Sequence, residues 1–539
     1  MTQETAMARA TSEGQSQLTH RQVLIVFSGL MLGMLLAALD QTIVSTALPT
    51  IVGDFGGLQH LSWVITAYLL TSTASVPLYG KLSDMYGRKL LFQFAIAVFL
   101  VGSLLSGASQ SMLQLILFRG IQGLGGGGIM AMAMAIIGDI VSPRERGRYQ
   151  GYTGAVFALS SVAGPLLGGV FTDQLSWRWV FYINLPLGVL ALIVTSAVLK
   201  LPHRRLEHPI DYLGSALMVA GVSCLLLVAS WGGTEYAWTS PVIIWLTAAG
   251  ALLIALFVAQ EFRAKEPLLP PRLFRNRVFT VCSAIGLIVG ATMFGAVAFL
   301  PIYLQIVKGV SATSSGLRLV PLMLGVVGTS VASGRLISNS GRYRVYPIAG
   351  MAISSVGLWL LSRLGATTNM LEVSAYMFIL GVGVGMVMQV IVLAAQNAAE
   401  YRDLGTATAG VNFFRSMGSA FGVAIFGSIL TNRLEYNLPR LIPRGSGLTA
   451  GQLLGSTPAQ LHLIPAAVRA GAVQAFSMSL HTMFLWVVPL SVVGFALTFL
   501  LREIPLRDYA FVGAEAVATD EHEQPAEREI SQRPVTAAE

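Results

Sequence analysis

Four ionisable residues lie within long apolar stretches of this sequence, where a charged side chain is costly and is by default a candidate for function. Asp40 lies within LLAALDQTIVSTALPTI, Arg119 lies within LFRGIQGLGGGGI, and Arg415 and His481 lie within two later stretches. Burial favours the neutral form of a carboxyl group, whereas a nearby arginine favours its anion. A carboxylate held between these two effects can load and release protons, so Asp40 is the candidate proton carrier.

Arg119 is the candidate partner of Asp40. At 1.5 Å per residue, Asp40 lies about 12 Å below the outer end of its helix, and Arg119 lies at roughly the same depth. An arginine stays charged in proteins, so the predicted task of Arg119 is to tune Asp40, with Gln122 on the same helical face. The alternative is a permanent ion pair that only locks two helices together.

Arg415 and His481 are harder to assign. Arg415, with Asn412 one turn earlier, either faces a cavity and contacts a substrate or reaches toward a helix C-terminus as a structural group. His481 lies near the outer end of the last apolar stretch, a position more typical of a structural role than of a proton relay.

The composition indicates which elements hold these residues. Only 11% of the 539 residues are charged and 54% are hydrophobic, whereas soluble domains carry about 25% charged residues. The chain is therefore predicted to be a membrane protein. Runs of about 20 apolar residues, long enough to cross a bilayer, are centred near Met34, Leu70, Val98, Leu124, Leu159, Leu190, Val219, Ala251, Ile288, Leu324, Ser355, Gly381, Gly418 and Leu490.

The distribution of lysine and arginine predicts the orientation. With fourteen spans and a cytoplasmic N-terminus, 24 of the 34 Lys and Arg residues fall on the cytoplasmic side and 8 on the outer side, while Arg119 and Arg415 lie within spans. Both termini are therefore predicted to be cytoplasmic. The net charge of +8 reflects this topology and does not indicate nucleic-acid binding.

The spans divide the chain into five parts. These are a cytoplasmic tail (1–20), a six-helix bundle (21–200), two additional helices with flanking basic loops (201–277), a second six-helix bundle with a long outer loop at 431–474 (278–505), and a cytoplasmic tail (506–539). The acidic segment after about residue 513 is predicted to be disordered. The outer loop is a candidate amphipathic lid over the outer exit.

A short repeat links the two bundles. GKLSDMYGRK at 80–89 and GRLISNSGRY at 334–343 align at an offset of 254 residues, each at the predicted cytoplasmic end of the second span of its bundle. The pattern predicts a tight turn in both copies, built on the motif residues Gly80, Asp84, Gly87 and Arg88 and on Gly334, Gly341 and Arg342. Ser338 replaces the aspartate in the second copy, so the same charge latch is not expected there.

The sequence resembles the major facilitator superfamily, and within it the fourteen-span drug:proton antiporters of the EmrB/QacA type. The resemblance rests on LDQTIVSTALPTI, WVITAYLL, GKLSDMYGRK, LFRGIQGLGGGGI, GAVFALSSVAGPLLGG, WRWVFYINLPLG, EPLLPPRLFRNRVF and FLPIYLQIVKG, which cover almost the whole chain. It implies an all-α polytopic fold of two six-helix bundles plus two central helices, fourteen transmembrane helices in all.

The resemblance implies a function as a proton-coupled exporter of amphiphilic, drug-like compounds that works by alternating access and confers antibiotic resistance. Duplicated bundles with a substrate site between them are common in secondary transporters. The alternative on the same fold is a dedicated exporter of one endogenous metabolite or lipid. A non-transporting receptor or scaffold need not keep charges such as Asp40 and Arg119 within its spans.

The resemblance also implies roles for motif residues. The acid in span 1 and the arginine in span 4, here Asp40 and Arg119, take part in proton coupling in such antiporters. Asp84 would contribute to a gate between the bundles. The AGPLLGG motif would contact the other bundle and close the cytoplasm-facing cavity, through Gly164, Pro165, Gly168 and Gly169. In contrast to relatives with extra carboxylates for cationic drugs, the central ionisable residue here is a cation, Arg415.

Candidates for the substrate cavity are polar or aromatic residues at mid-membrane depth: Gln122, Trp63, Tyr68, Tyr303, Gln305, Gln389, Asn412 and Arg415.

The sequence predicts no enzyme activity, no cofactor and no metal site, since Cys224 and Cys282 are typical of small buried hydrophobic residues. A Gly-x-Gly-x-x-Gly pattern in GLGGGG lacks the strand–turn–helix context of a dinucleotide site. The expected partners are protons, small amphiphilic substrates and the lipids of the plasma membrane. The protein is expected to be a monomer, and no periplasmic adaptor is indicated.

Overall fold

The fold is known from a computed structural model of the chain, which describes residues 20–55, 61–141, 143–199, 211–233, 236–265, 267–400, 403–443, 448–455 and 464–506. The predicted tails lie almost wholly outside the described residues, and so does the acidic segment after residue 513. Nearly all of the described chain is helical, and it contains no strand.

Each of the fourteen predicted centres lies within a long helix. These helices are α1 (His20–Phe55), α2 (Leu61–Tyr86), α3 (Arg88–Ala108), α4 (Met112–Ile140), α5 (Pro143–Gln174), α6 (Asn184–Val198), α7 (Tyr212–Trp231), α8 (Pro241–Glu261), α9 (Arg277–Ile306), α10 (Val320–Ser340), α11 (Val345–Ser362), α12 (Met370–Ala398), α13 (Leu404–Leu441) and α14 (Ala466–Thr498). Short helices Trp179–Tyr182, Pro271–Arg275, Ala312–Leu317 and Ala450–Gly455 lie between them.

Twelve stretches of the described chain are helical, long and apolar enough to cross a membrane. This confirms that the chain is a multi-pass membrane protein. The two remaining long helices, α2 and α5, are less apolar. Helix α2 packs against α4 and α13, and α5 packs against α1 and α10, so both need less apolar surface than a helix that mainly faces lipid. The count of fourteen spans stays a prediction.

The helices form two bundles with the same internal packing. In the first bundle, α1 packs against α5, and both α2 and α3 pack against α4. In the second bundle, α9 packs against α13, and both α10 and α11 pack against α12. The pairs correspond by a shift of eight helices, as expected for a duplicated unit. The bundles meet where α5 packs on α10 and α2 packs on α13.

The additional helices flank this junction. Helix α7 packs against α2 and α13, one helix from each bundle, and α8 packs against α7. The rings of Trp63 and Trp231 are 4.5 Å apart and join α2 to α7. Helix α8 is mostly exposed and carries large apolar side chains such as Ile244 and Trp245 on its surface. Such a surface suits contact with lipid.

Both copies of the repeated motif form the predicted turn. Gly87 is the single residue between α2 and α3 and has a φ of 94°. Gly341 follows the last residue of α10 and has a φ of 70°. L-residues with a side chain rarely adopt positive φ, which explains the glycine in each copy. We call the end of the molecule that carries Gly87 the motif end.

The second copy is covered by the end of the chain. The Tyr343 hydroxyl donates to the carbonyl oxygen of Arg502 at 3.0 Å and accepts from the backbone N–H of Ile504 at 3.0 Å. Burial raises the pKa of Tyr343 to about 12, so the hydroxyl keeps its proton and stays a donor. The last described residues therefore fasten α14 to the turn after α10.

The segment 431–474 is not the long loop that the sequence predicted. Helix α13 continues to Leu441, and α14 begins at Ala466. The prediction was wrong because Leu434 and Leu438 lie one turn apart and are buried, so the helix extends with one apolar face. The Asn437 side chain donates to Ser479 Oγ of α14 at 3.0 Å. The extension thus packs on the second bundle; a role as a lid stays a prediction.

Candidate functional site

Asp40 and Arg119 form an ion pair inside the first bundle. Arg119 Nη1 lies 2.6 Å from Asp40 Oδ2, so the two residues are at the same depth as the sequence predicted. Both side chains are almost completely shielded from solvent, at 0% and 3% exposure. A buried charge pair is favourable only when further hydrogen bonds satisfy the remaining polar atoms.

Those hydrogen bonds come from two neutral amides, on α4 and α6, and a serine on α3 bonds to both amides. Asp40 Oδ1 accepts from Gln122 Nε2 at 2.8 Å and from Asn184 Nδ2 at 3.0 Å. Ser103 Oγ accepts from the same two amides, at 3.1 Å from Gln122 and 2.9 Å from Asn184, and donates to the carbonyl oxygen of Phe181. Helices α1, α3, α4 and α6 thus meet at one buried carboxylate. We call Asp40, Arg119, Gln122, Asn184 and Ser103 the Asp40 cluster.

Sequence reasoning missed Ser103 and Asn184. Asn184 is part of the family segment WRWVFYINLPLG, and an asparagine at the start of an apolar span was the available signal. Ser103 gave no comparable signal, because single serines are frequent in membrane helices, where they bond the backbone.

Arg119 has contacts besides Asp40. Its Nη1 donates to Gln122 Oε1 at 2.8 Å, and its guanidinium lies 4.3 Å from the centre of the Tyr68 ring. A cation over an aromatic face gains roughly 0.5–2 kcal/mol, more when desolvated. Tyr68 was predicted to line the substrate cavity, but it is fully buried beneath Arg119. Gln122, predicted as a cavity residue, likewise belongs to the Asp40 cluster.

The glycines of GLGGGG let neighbouring helices approach α4. A Cβ at Gly125 would lie 2.6 Å from the carbonyl oxygen of Ala95 on α3, and one at Gly128 would lie 2.6 Å from the ring of Tyr79 on α2. A Cβ at Gly102 would meet the backbone of Gln122. Close packing through small residues is typical of membrane helices, and it explains the glycine run without a nucleotide.

An ion pair also stabilises the motif turn. Arg88 Nε donates to Asp139 Oδ2 at 2.8 Å, and Arg88 Nη1 contacts Ser83 Oγ. Arg88 was predicted as a motif residue of the turn, but its partner Asp139, at the end of α4, was missed. Arg342, its counterpart in the second copy, is exposed. The side chain of Asp84 lies outside the described part of the chain, so its predicted gate role is untested.

The two bundles touch at the motif end. A Cβ at Gly80 would lie 2.5 Å from Ala409 Cβ on α13, so α2 and α13 are in close contact there. Gln396 of α12 donates to the carbonyl oxygen of Met134 on α4 at 3.2 Å and to Thr408 Oγ1 at 3.0 Å. These contacts close the space between the bundles at this end.

The AGPLLGG helix contacts both bundles. Gly164 lies against Thr42 on α1, two residues after Asp40, and Thr42 Oγ1 donates to the carbonyl oxygen of Ser160 at 2.9 Å. Towards the other bundle, Gln389 Nε2 donates to Thr153 Oγ1 at 2.8 Å. Helix α5 thus lies between α1 and the second bundle. Of the other motif residues, Gly168 and Gly169 lie further along the same helix. The side chain of Pro165 lies outside the described part of the chain.

The profile of a known protein family matches this chain. Residues 30–423, more than half of the chain, match the family profile described as Major Facilitator Superfamily. The chain belongs to the major facilitator superfamily. It is a transporter of that family and not an enzyme.

Similar proteins from two bacteria cover most of this transporter. An uncharacterized MFS-type transporter of Mycobacterium tuberculosis is 44% identical over 487 residues, which are 90% of this chain and 70% of the relative. The multidrug transporter protein MdtP of Bacillus subtilis is 39% identical over 509 residues, 89% of this chain and 93% of that protein. The structure of the proton:xylose symporter XylE has a TM-score of 0.60 over 92% of this chain and 99% of that one, at 13% identity, and so supports the fold alone.

Four of the predicted cavity residues of this major facilitator superfamily transporter have structural contacts instead. Tyr303 is buried near the end of α9, and its hydroxyl donates to Gly365 at 2.9 Å. Gln305 Nε2 donates to Ser315 Oγ at 3.2 Å in the next short connection. The prediction of mid-membrane depth was wrong for both residues. Helix α9 ends at Ile306, so Tyr303 and Gln305 lie in its last turn. Trp63 stacks on α7, and Gln389 bridges to α5.

His481 and the pair of Asn412 and Arg415 are placed differently. The His481 Nδ1 atom contacts the carbonyl oxygen of Ser362, which joins α14 to α11 as expected of a structural residue. Asn412 Nδ2 donates to the carbonyl oxygen of Thr408 at 3.0 Å, one turn earlier on α13. Arg415 has no hydrogen bond or ion pair with any residue that the structure describes.

Replacing Gly80 by alanine is expected to open the motif end, because the added Cβ would overlap Ala409 and push α2 away from α13. The test is labelling of a cysteine introduced at the buried Leu404 by a maleimide, in a background without Cys224 and Cys282. We expect labelling to rise several-fold. The matched control is Gly328→Ala, since a Cβ there meets nothing within 4 Å. Equal labelling in the two variants would show that this contact does not hold the end closed.

Proposed function

We propose that this transporter exports amphiphilic, drug-like compounds in exchange for protons by alternating access. The observation that carries the proposal is the Asp40 cluster, a fully buried carboxylate at the meeting point of four helices of one bundle. Ionisable groups inside transporter spans commonly belong to proton pathways. The relative MdtP is named a multidrug transporter protein, which supports export of drug-like compounds by this chain.

The hydrogen bonds in the cluster suit a carboxylate that is ionised in the described conformation. Asp40 accepts three hydrogen bonds, from Arg119, Gln122 and Asn184. All three partners are donors, so each bond favours the anion. In the proposed cycle, this arrangement would correspond to the state after the proton has left.

The cluster also has the partners that a neutral Asp40 needs. When Asp40 takes up a proton, Arg119 keeps Gln122 Oε1 and the Tyr68 ring as contacts. The new O–H group needs an acceptor, and Asn184 Oδ1 is buried and has no hydrogen-bond partner among the described residues. We propose that the Asn184 amide turns over during the cycle, so that it donates to the anion and accepts from the acid.

Alternating access would exchange the contacts between the bundles. The motif end is closed through α2, α13 and Gln396, and we propose that it faces the cytoplasm, with both termini on that side of the plasma membrane. Protons would then reach Asp40 from the outer side and leave to the cytoplasm after the motif end opens. The substrate would move in the opposite direction, and a single chain would perform the cycle.

The test is export of a fluorescent amphiphile from proteoliposomes with an imposed pH gradient. We expect export only when the side toward which the compound leaves is the more acidic, and we expect a protonophore to reduce the rate to that without a gradient. A panel of chemically unrelated amphiphiles then separates a multidrug exporter, which moves several of them, from a dedicated exporter. Export at the same rate with and without the gradient would refute proton coupling.

A further inference from the structure

Arg415 is a cation in the middle of a membrane helix, with no ion-pair partner among the described residues. It lies 11 residues after Leu404, the first residue of α13, which is about 16 Å along the helix axis. Its side chain is partly exposed and bonds to no residue that the structure describes. An arginine can extend its charge to the membrane surface only from near a helix end. Contact with lipid at this depth would therefore be costly.

The face of α13 that carries Arg415 points toward the junction of the bundles. Thr408, two turns earlier on the same face, accepts from Gln396, which also bonds to α4 of the first bundle. Helix α9 packs against this part of α13, since a Cβ at Gly290 would meet the Arg415 carbonyl oxygen and one at Gly286 would lie 3.8 Å from Arg415 Cβ. The arginine thus lies two turns further from the motif end than the contact of Thr408 with Gln396.

Three other arginines, of which only Arg119 lies well inside a long helix, have carboxylate partners. Arg119 pairs with Asp40, Arg88 pairs with Asp139, and Arg272 pairs with Asp403. Arg415 therefore leaves one positive charge that no described side chain balances. One turn before it, the Asn412 Oδ1 atom is buried and without a hydrogen-bond partner among the described residues. A bound molecule with a negative group and a nearby N–H or O–H donor would satisfy both side chains.

We propose that Arg415 and Asn412 form the substrate subsite of this exporter and that it selects amphiphilic organic anions. Arg415 would bind the carboxylate or sulfonate, since a guanidinium matches the planar or forked geometry of such groups. Asn412 would accept a hydrogen bond from an adjacent N–H or O–H group. This proposal rests on the export function proposed above and adds the charge of the cargo.

The test compares two probes with one aromatic skeleton. Anilinonaphthalene sulfonate is an amphiphilic anion with an N–H donor, and phenylnaphthylamine is its neutral counterpart without the sulfonate. Export of both is measured in phosphatidylcholine proteoliposomes with an imposed pH gradient, so that no anionic lipid competes. For Arg415→Gln we expect the KM of the sulfonate to rise about tenfold or more, because a charge-assisted hydrogen bond is lost. The KM of the neutral amine should stay within about twofold.

Two further variants make the result specific. Arg415→Lys keeps the charge and should restore much of the affinity for the sulfonate. Arg433→Gln removes an exposed arginine from the same helix and should change neither KM. Equal changes for the two probes in Arg415→Gln, or no change for the sulfonate, would overturn the subsite. Loss of gradient dependence for both probes in the wild type would instead overturn the proton coupling, which is a separate readout.

Discussion

Asp40→Asn is expected to abolish gradient-driven export while leaving a folded protein that still binds its substrate. Asparagine has nearly the same shape as aspartate, but it cannot carry the transported proton. Its Oδ1 atom can accept from Arg119 in place of Asp40 Oδ2, and its amide, in place of Asp40 Oδ1, can donate to Asn184 Oδ1 once the Asn184 amide turns over, while the bond from Gln122 to residue 40 is lost. The cluster therefore keeps most of its hydrogen bonds while losing its only titratable carboxylate.

The measurement is export from proteoliposomes with and without a pH gradient. For Asp40→Asn we expect the rate with the gradient to fall to the rate without it. The matched control is Asp54→Asn, the same substitution at an exposed position of the same helix, where the side chain only accepts from Trp177 Nε1 at 2.7 Å. That variant should keep its response to the gradient. A gradient response of normal size in Asp40→Asn would remove Asp40 from the proton pathway.

The sequence predicted those parts of the site in which a residue type is energetically unfavourable at its position. A carboxylate and an arginine within apolar runs are rare enough to stand out, and the depth estimate placed Asp40 next to Arg119 correctly. The positive φ of Gly87 and Gly341 follows from the same logic, since a turn of this kind excludes most other residues.

Neutral polar residues could not be placed in this way. Ser103, Asn184 and Gln396 resemble many other serines and amides in membrane helices, and only the packing of α3, α6 and α12 brings them to their partners. The positions of Tyr303 and Gln305 were wrong for a related reason, because a hydropathy run fixes the centre of a helix better than its end. Asp139 was overlooked because it lies at the end of an apolar run. A span is expected to leave the membrane there, so a charged residue does not stand out.

The structure also links the two functional regions along one helix. Thr408 accepts from Gln396 at the contact between the bundles, Asn412 donates to the backbone of Thr408, and Arg415 follows one turn later. A ligand at Arg415 would therefore act on the face of α13 that contacts Gln396, the residue that also bonds to the first bundle. Such a shared face gives a physical route by which cargo binding can bias the opening of that end.

Arg119→Gln is expected to destabilise the protein more than any other single substitution in the Asp40 cluster. It leaves a buried carboxylate with only two neutral donors, Gln122 and Asn184. Removing one member of a buried ion pair typically costs about 3–5 kcal/mol, because the remaining charge is uncompensated. Asp40→Asn should cost less, since Arg119 keeps Gln122 Oε1 and the Tyr68 ring.

The double variant Asp40→Asn/Arg119→Gln should recover most of the stability lost in Arg119→Gln, because no charge then remains in the cluster. Thermal unfolding in detergent at one pH, for the wild type, both single variants and the double variant, gives the coupling between the two side chains. Arg433→Gln controls for the loss of an arginine at an exposed site. If the double variant unfolds at the temperature expected from the sum of the single losses, the two charges do not stabilise each other. The ion pair would then be maintained for proton coupling rather than for stability, and Arg119 would be a partner that Asp40 can leave during the cycle without unfolding the bundle.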